Sequence, residues 1–309
     1  MRNRGSALLT ALFIITIVAI VTTAMTTRLS IDIQRTSMID STDKMQLASQ
    51  AVMVWAMDRL SDPKQPLHNL DTHGKVLNLP KSLQFLVPNL TLTGELYDLQ
   101  ARFNINNLYN NTYEGILFGL LSELQIGSGS FERKDQLDAI LYWLKPIQPK
   151  GNHDTWYDRY ARQTPPYFPS HLPMSNLSEL RLVYGISARS YQKLEPYLCA
   201  LPDTTPININ TASQTLLLAL GSGMKETDIS SIISKRNQHP YKDLNTLTPL
   251  LNKYHIEPSV LTTESQYFLL ITTAYYTDVM IKTYTQLSRI KDKTGLWNVS
   301  VLSQSINTP

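Results

Sequence analysis

The chain has 309 residues, enough for one to three domains with buried cores. Hydrophobic residues make up 42% of it and charged residues 17%, which excludes a disordered polyelectrolyte. Its 28 basic and 25 acidic residues leave a net charge of +3, too balanced to indicate a nucleic-acid partner by itself. The single cysteine, Cys199, excludes an intramolecular disulfide framework, and its apolar neighbours predict a buried, inert thiol.

The chain begins with a long apolar segment. Arg2 and Arg4 precede an uncharged stretch, residues 5–27, whose apolar core is long enough to cross a bilayer. The basic residues in front of it predict a cytoplasmic N-terminus. Three interpretations compete: a secretory signal peptide, a plain membrane anchor and a pilin-like stalk. A signal peptide requires a small-x-small cleavage site after the apolar run, and the residues from Ala24 onward match that pattern poorly.

The segment behind the apolar run favours the stalk. Met45, Ala48 and Val52 continue at helical spacing, and the first helix breaker is Pro63, so one helix is predicted over residues 6–60. A five-residue basic leader, an adjoining apolar run and a continuing helix together resemble a type IV pilin-like protein. That resemblance implies leader cleavage between Gly5 and Ser6, and N-methylation of Ser6.

One position departs from the common pilin pattern. Most pilins carry Glu at the fifth mature position, which here is Thr10. In those proteins the carboxylate is thought to pair with the amino terminus of a neighbouring subunit, because an unpaired carboxylate in lipid is costly. The resemblance therefore implies that Thr10 belongs to a subunit with nothing above it. The small residues Ala7, Ala11 and Ala19 would allow close packing of the apolar helix on other helices.

Beyond the stalk, residues 97–106 alternate apolar and polar side chains with a period of two. We therefore predict a ten-residue strand there, with one buried face and one solvated polar face. Enrichment in Phe, Ile, Thr and Tyr predicts further strands over residues 267–276, 279–287 and 296–301.

The region between these strands has helical periodicity. Short helices are predicted over residues 116–124, 136–143 and 175–184, the last one capped by Ser175, and residues 145–172 form a loop rich in Pro, Tyr and Gly. The predicted fold class is α+β: a long N-terminal helix and a pilin-like antiparallel sheet domain interrupted by a large helical insertion. The predicted division is a leader over 1–5, a stalk helix over 6–60, the sheet domain over 61–108 and 259–309, and the insertion over 109–258.

The insertion contains a segment typical of a helix-hairpin-helix unit. Thr211 and Gln214 have the spacing of a capping box, residues 221–223 read Gly-Ser-Gly, and Ile229 and Ile232 mark the buried face of a second helix. Related hairpins bind DNA phosphates. Five basic residues are present, and three acidic residues offset most of their charge, so a scaffold for protein contacts is favoured over DNA binding. The basic residues are Lys225, Lys235, Arg236, Lys242 and Lys253.

An ordered set of motifs then resembles one family. Residues 94–108 read GELYDLQARFNINNL, and they are followed by LYWL (141–144), PPYF (165–168), SNLSELRLVYGIS (175–187), LEPYLCALP (194–202) and ININTASQTLLLAL (207–220). This set is similar to the type II secretion system protein K family, whose members also lack the Glu at the position of Thr10. The similarity extends over nearly the whole chain.

The family resemblance implies a structural role rather than an enzyme. It implies a minor pseudopilin at the tip of the pseudopilus, processed by prepilin peptidase and assembled with minor pseudopilins I and J to support export of folded proteins across the outer membrane. Its helix would lie in inner-membrane lipid, with a single pass, a cytoplasmic N-terminus and a periplasmic head. The alternative is a minor pilin of a related type IV pilus or DNA-uptake system.

The family also implies a calcium site in the loop of the insertion. Calcium requires six to eight oxygen ligands, and the acids remaining in this loop are Asp154 and Asp158. Tyr142 and Lys145 stand where the family favours acids, so the predicted site is weak. No phosphate-binding loop, G-x-S-x-G or HExxH motif is present, and no enzyme is predicted.

Overall fold

The computed structural model describes residues 4–65, 67, 70–85, 87–145, 155–277 and 279–308. For residues 4–6 it describes the backbone alone. It begins with one 58-residue helix, α1 (Arg4–Ser61). Side chains 7–40 are exposed, and one face becomes buried from Ser41 onward. At 1.5 Å per residue, the exposed part extends about 50 Å beyond the packed part. The predicted continuous helix is confirmed, and it ends directly before Asp62 and Pro63.

The remaining elements form a sheet and a helical block, and the block lies in the chain between the second and third strands of the sheet. The helices are α2 (Glu114–Glu123), α3 (Ser130–Leu144), α4 (Thr155–Ala161), α5 (Ala188–Leu194), α6 (Gln214–Ala219), α7 (Glu226–Gln238) and α8 (Thr248–Lys253). The strands are β1 (Lys75–Asn78), β2 (Leu90–Asp98), β3 (Phe103–Asn104), β4 (Leu198–Cys199), β5 (Ile207–Asn208), β6 (Leu261–Thr262), β7 (Tyr267–Tyr276), β8 (Val279–Lys291) and β9 (Trp297–Ile306). This composition confirms the predicted α+β class.

Five strands form an antiparallel sheet in the order β1-β2-β7-β8-β9. Its inner face packs on the second half of α1. The helix contributes side chains spaced three or four residues apart, from Met45 through Val52 to Leu60, and the sheet contributes Leu96 and Phe268. Because successive side chains on a strand point to opposite faces, the other face of the sheet stays at the surface.

Gly94 is required where α1 crosses the sheet. A Cβ atom at this position would lie 2.7 Å from Cγ1 of Val52 and 3.2 Å from Cβ of Leu79. Real side chains do not approach this closely, so only glycine lets the helix settle against β2.

The helical block has its own core. A second hydrophobic cluster extends along the chain from Phe103 to Leu261 and includes buried residues of α2, α3, α6 and α7. The backbones of α2 and α6 approach closely, since a Cβ on Gly119 would lie 2.8 Å from the carbonyl oxygen of Ala219. The helices α2 and α3 lie on the predicted segments 116–124 and 136–143.

The predicted ten-residue strand over 97–106 is wrong. Strand β2 ends at Asp98 and is followed by a 3-10 helix (Leu99–Ala101), the two-residue β3 and a second 3-10 helix (Ile105–Tyr109). The side chains of Asp98 and Asn104 each accept a hydrogen bond from the N–H two residues later, which turns the chain. Phe103, assigned to the sheet domain by the predicted division, therefore packs in the helical cluster instead.

Two predicted helix starts are also wrong by one or two residues. Ser213, not Thr211, caps α6, because its hydroxyl accepts the Leu216 N–H at 3.1 Å. Asn176, not Ser175, forms the capping box with Glu179, and the element that follows is a 3-10 helix (Leu177–Leu182) rather than a longer α-helix. Several small polar residues stand next to each start, and tertiary contacts decide which of them caps the helix.

Candidate functional site: stalk, polar junction and helical hairpin

The exposed half of α1 has the properties of a membrane segment. The helix is long and apolar enough to cross a bilayer, and none of its most apolar window is buried in the chain's own fold. Its threonine hydroxyls donate to backbone carbonyls three or four residues earlier, so they are compatible with lipid. These hydroxyls belong to Thr10, Thr16, Thr22, Thr23, Thr26 and Thr27.

The small residues predicted to mediate helix packing lie on this exposed half. Ala7, Ala11 and Ala19 are all uncovered. Gly5 and Ser6 belong to the first turn of α1, where the structure describes the backbone alone. Cleavage between them and methylation of Ser6 stay predictions.

A buried carboxylate joins the sheet to the helical block. Oδ2 of Asp98 accepts hydrogen bonds from the hydroxyls of Thr211 (2.5 Å) and Ser265 (2.6 Å) and from the amide of Asn208 (3.1 Å). Oδ1 accepts the backbone N–H of Gln100 at 2.8 Å. We call Asp98, Asn208, Thr211 and Ser265 the polar junction, and all four are buried. It connects the end of β2 to the start of α6 and to the approach to β7.

Burial dominates the electrostatics of the polar junction. Removal from water raises the pKa of Asp98, and the hydrogen bonds from Ser265 and Thr211 oppose that rise. The guanidinium of Arg289, also buried, donates to the carbonyl of Ser265 at 3.1 Å and lies 4.0 Å from the ring centre of Trp297. Burial lowers the pKa of Arg289, while the neighbouring Asp98 raises it.

Three asparagines continue the connection into the block. Asn106 donates to the carbonyls of Met174 (3.0 Å) and Leu201 (2.9 Å) and accepts the Met174 N–H at 2.9 Å. Asn107 donates to the carbonyl of Thr205 at 2.7 Å and accepts its N–H at 2.9 Å. Asn104 makes a comparable set of bonds to the segment 201–205. These side-chain amides satisfy backbone N–H and C=O groups at Met174 and in residues 201–205, where no regular strand partner does so.

Sequence reasoning missed this network, because it assigned the polar residues to a solvated face. A local signal was nevertheless present: Asp and Asn readily turn the chain by accepting an N–H two positions later. Such turns occur at Asp98, Asn104, Asn110, Asn176 and Asn208. Their recurrence predicts an irregular, turning chain rather than a straight strand.

The hairpin around residues 221–223 offers few basic groups. The guanidinium of Arg236 points inward and donates to the carbonyls of Ile209 and Ala212, both at 2.8 Å. Lys253 is ion-paired with Asp228 at 2.7 Å. Of the five basic residues in this segment, Arg236 is buried and Lys253 is ion-paired, which leaves Lys225, Lys235 and Lys242 and weakens this hairpin as a phosphate-binding surface.

The structure tests the thiol prediction but not the metal prediction. Asp154 lies outside the described residues, and Asp158 is exposed on α4 beside Arg159. No group of three or more His, Cys, Asp or Glu that could hold a metal occurs among the residues the structure describes. Calcium binding stays a prediction of the family resemblance. Cys199 is buried, and burial raises its pKa to about 12, which confirms a buried thiol.

Comparison with known families gives one result. Two family models, both described as type II secretion system (T2SS), protein K, match residues 101–203 and residues 207–264, together more than half of the chain. The first match begins at residue 101, shortly after β2 ends. The second contains the hairpin and ends at residue 264, directly before Ser265.

Individual relatives agree with the family models. The type II secretion system protein K of Aeromonas hydrophila is 29% identical over 280 residues, 80% of each chain. That of Pectobacterium carotovorum subsp. carotovorum is 27% identical over 286 residues, 86% of this chain and 87% of the relative. A chain in the crystal structure of the GspK-GspI-GspJ complex from the enterotoxigenic Escherichia coli Type 2 Secretion System shares the fold, with a TM-score of 0.66, 21% identity, and coverage of 89% of this chain and 100% of that one.

Proposed function

The chain belongs to the type II secretion system protein K family, and we propose that it acts as a minor pseudopilin at the tip of the pseudopilus. In this role it starts or caps the filament through contacts with other subunits and supports export of folded proteins across the outer membrane. The task is structural, and the buried groups of the polar junction serve to fix the head rather than to carry out chemistry.

The observation that carries the proposal is the division of α1. One continuous helix has an uncovered apolar half, residues 7–40, and a half that is packed into the sheet from Ser41 onward. A helix can leave so much apolar surface uncovered only if lipid or other helices cover it. An anchor alone does not require the helix to continue without a break into the head, whereas a filament subunit does.

The processing and the location follow from the same helix. We propose that prepilin peptidase cuts between Gly5 and Ser6 and that Ser6 is then N-methylated. Before assembly, residues 7–25 cross the inner membrane once, with the leader in the cytoplasm and the head in the periplasm. Arg2 and Arg4 on one side of the apolar run support this orientation.

Thr10 supports a position at the tip. Its hydroxyl donates to the carbonyl of Ala7 at 3.0 Å, within its own helix. A neutral hydroxyl satisfied in this way does not require the amino terminus of a subunit above it, unlike the carboxylate of other pilins. The helical block adds width to the head, and a wide head obstructs stacking within a shaft but not at its end.

The partners proposed for this chain are minor pseudopilins I and J of the same system. Support comes from the likeness in fold to a protein that was crystallised as a GspK-GspI-GspJ complex. At 21% identity that likeness concerns the fold, so the assembly of this chain is tested directly.

The test is co-purification of the full-length chain from membranes together with its own system's minor pseudopilins. We expect a complex with I and J, and we expect deletion of the gene to stop release of exoproteins. A deletion that leaves secretion intact but abolishes pilus display would assign the chain to a related pilus instead. Retardation of duplex DNA by the purified protein at low salt, lost at high salt, would support the DNA-uptake alternative.

A further inference from the structure

Strand β9 is an open edge of the sheet. It pairs with β8 along its whole length, from Trp297 opposite Lys291 to Ile306 opposite Thr283. No strand within the described residues pairs with its other side, because β9 is last in the strand order. At about 3.3 Å per residue, its ten residues present a row of free backbone N–H and C=O groups about 33 Å long.

The two edges of the sheet are protected to different extents. The opposite edge, β1, has four residues, and its Lys75 is ion-paired with Glu95 at 2.7 Å. Strand β9 contains no charged residue and no proline. Proteins protect free edges by keeping the edge strand short or by placing lysines or prolines on it. Strand β9 is ten residues long and has neither lysine nor proline. It keeps one protective feature, a bulge opposite the step from Gln286 to Leu287.

The surface along β9 is uncharged and carries exposed apolar side chains among polar ones. Val301, Leu302 and Ile306 are 41%, 46% and 48% exposed. The bulge divides the strand into two regular segments, 297–301 and 303–306. Their residues are exposed except for Trp297, Val299 and Ser305, which are half-buried. An uncharged edge with exposed branched side chains suits a second strand of the same character, since a charged side chain brought against it would lose water without gaining a partner.

We infer that β9 pairs edge to edge with an uncharged strand from the sheet of a sibling pseudopilin, extending this sheet into the neighbouring head. The inference rests on the proposed function, which places subunits with parallel stalks side by side. The stalks then hold the subunits together in the membrane and in the filament, while β9 sets the register of their heads through backbone hydrogen bonds.

The single buried Cys199 makes thiol-directed photo-cross-linking specific. Ser300→Cys and Ser303→Cys, one in each regular segment, are introduced into the full-length chain and labelled in membranes that contain I and J. The matched control is Thr93→Cys, which is also exposed but lies on β2, an interior strand. Thr93 pairs with Thr273 of β7, and on the other side the backbone groups of Leu92 and Gly94 are bonded to Gln84 and Leu79. We expect both β9 variants to cross-link to a sibling subunit and Thr93→Cys to give little product.

Charge substitution provides the second measurement. Ser300→Lys and Ser303→Lys should each lower recovery of the I and J complex about tenfold, because the lysine would be desolvated at the interface. Thr93→Lys should leave recovery unchanged. Equal thermal unfolding of all three variants would show that the fold is intact, since all three sites are exposed.

The outcomes separate the inference from the proposed function. If the wild-type chain fails to recover I and J, the proposed function is wrong. If the wild-type complex forms and the β9 lysine variants are recovered equally well, the edge inference is overturned and the proposed function survives. Cross-linking of β9 only to a second copy of this chain would also overturn it.

Discussion

The carboxylate of Asp98 accepts a 2.6 Å hydrogen bond from the hydroxyl of Ser265, which lies 167 positions later in the chain. Asp98 ends β2, and Ser265 leads into β7, the strand that pairs with β2. The contact therefore closes the loop that contains the whole helical block. The hydroxyl of Thr211, at the start of α6, reaches the same carboxylate oxygen, so one buried group fixes the position of the block on the sheet.

The first prediction concerns the pH dependence of this group. Burial raises the pKa of Asp98 above its ordinary value of 3.8, so the folded state holds the proton more tightly than the unfolded chain. The stability contributed by the protonated acid is fully present below the ordinary pKa, and it is lost as the pH rises through the higher folded pKa. Asp98→Asn cannot titrate and should lack this loss.

At pH 4, Asp98→Asn should lower the free energy of unfolding by about 1–3 kcal/mol, because its amide cannot accept all the donors that the carboxyl oxygens accept. The deficit should shrink as the pH rises above 4 and the wild type loses stability. Urea unfolding of both proteins at a series of pH values from 4 upward measures it. A deficit that grows with pH would show that the hydrogen bonds outweigh burial.

The second prediction compares two asparagines. Asn106→Ala removes three buried hydrogen bonds, to Met174 and Leu201, and should cost about 2–4 kcal/mol. The exposed Asn110 forms only the local turn with the N–H of Thr112, and Asn110→Ala should cost about 1 kcal/mol or less. Chemical denaturation of both variants provides the comparison. Equal losses would mean that the buried amides add no more stability than a surface turn.

The third prediction concerns a pair of glycines. Gly94→Ala places a Cβ 2.7 Å from Val52, so α1 must shift from the sheet, and the cost should be about 1–3 kcal/mol. In Gly115→Ala no atom lies within 4 Å of the new Cβ. This variant should leave the free energy of unfolding unchanged or raise it by up to about 1 kcal/mol, because alanine favours the helix. Thermal unfolding distinguishes the two. A Gly94→Ala protein as stable as the wild type would contradict the close approach.

The fourth prediction tests leader processing. Gly5→Ala should block cleavage before Ser6, because the peptidase of this class requires the smallest residue at the cut. Mass spectrometry of the membrane-extracted protein should then detect the uncut N-terminus with no methyl group on Ser6. Thr10→Ala, five residues away in the same helix, serves as the control and should be processed normally. A mature N-terminus in Gly5→Ala would remove the proposed processing step.

The local features of the chain were predictable. The length of α1 depends on an apolar run, on helical spacing up to Leu60 and on Pro63, all of which are properties of neighbouring residues. Strand β7 also begins and ends as predicted, at Tyr267 and Tyr276, because its β-branched and aromatic composition is continuous. The family resemblance, based on an ordered set of motifs, added the proposed role.

The tertiary structure alone decided which polar residues are buried. Asn106 and Asp98 follow the alternation of a half-solvated strand, but their hydrogen-bond partners lie from 68 to 167 positions away. Only the folded chain brings those partners within reach, and burial is stable only once every donor and acceptor is satisfied. The open edge of β9 is likewise set by the strand order. Local sequence therefore determined the rod and the individual strands, whereas long-range contacts determined how the head is joined and which side of it remains free.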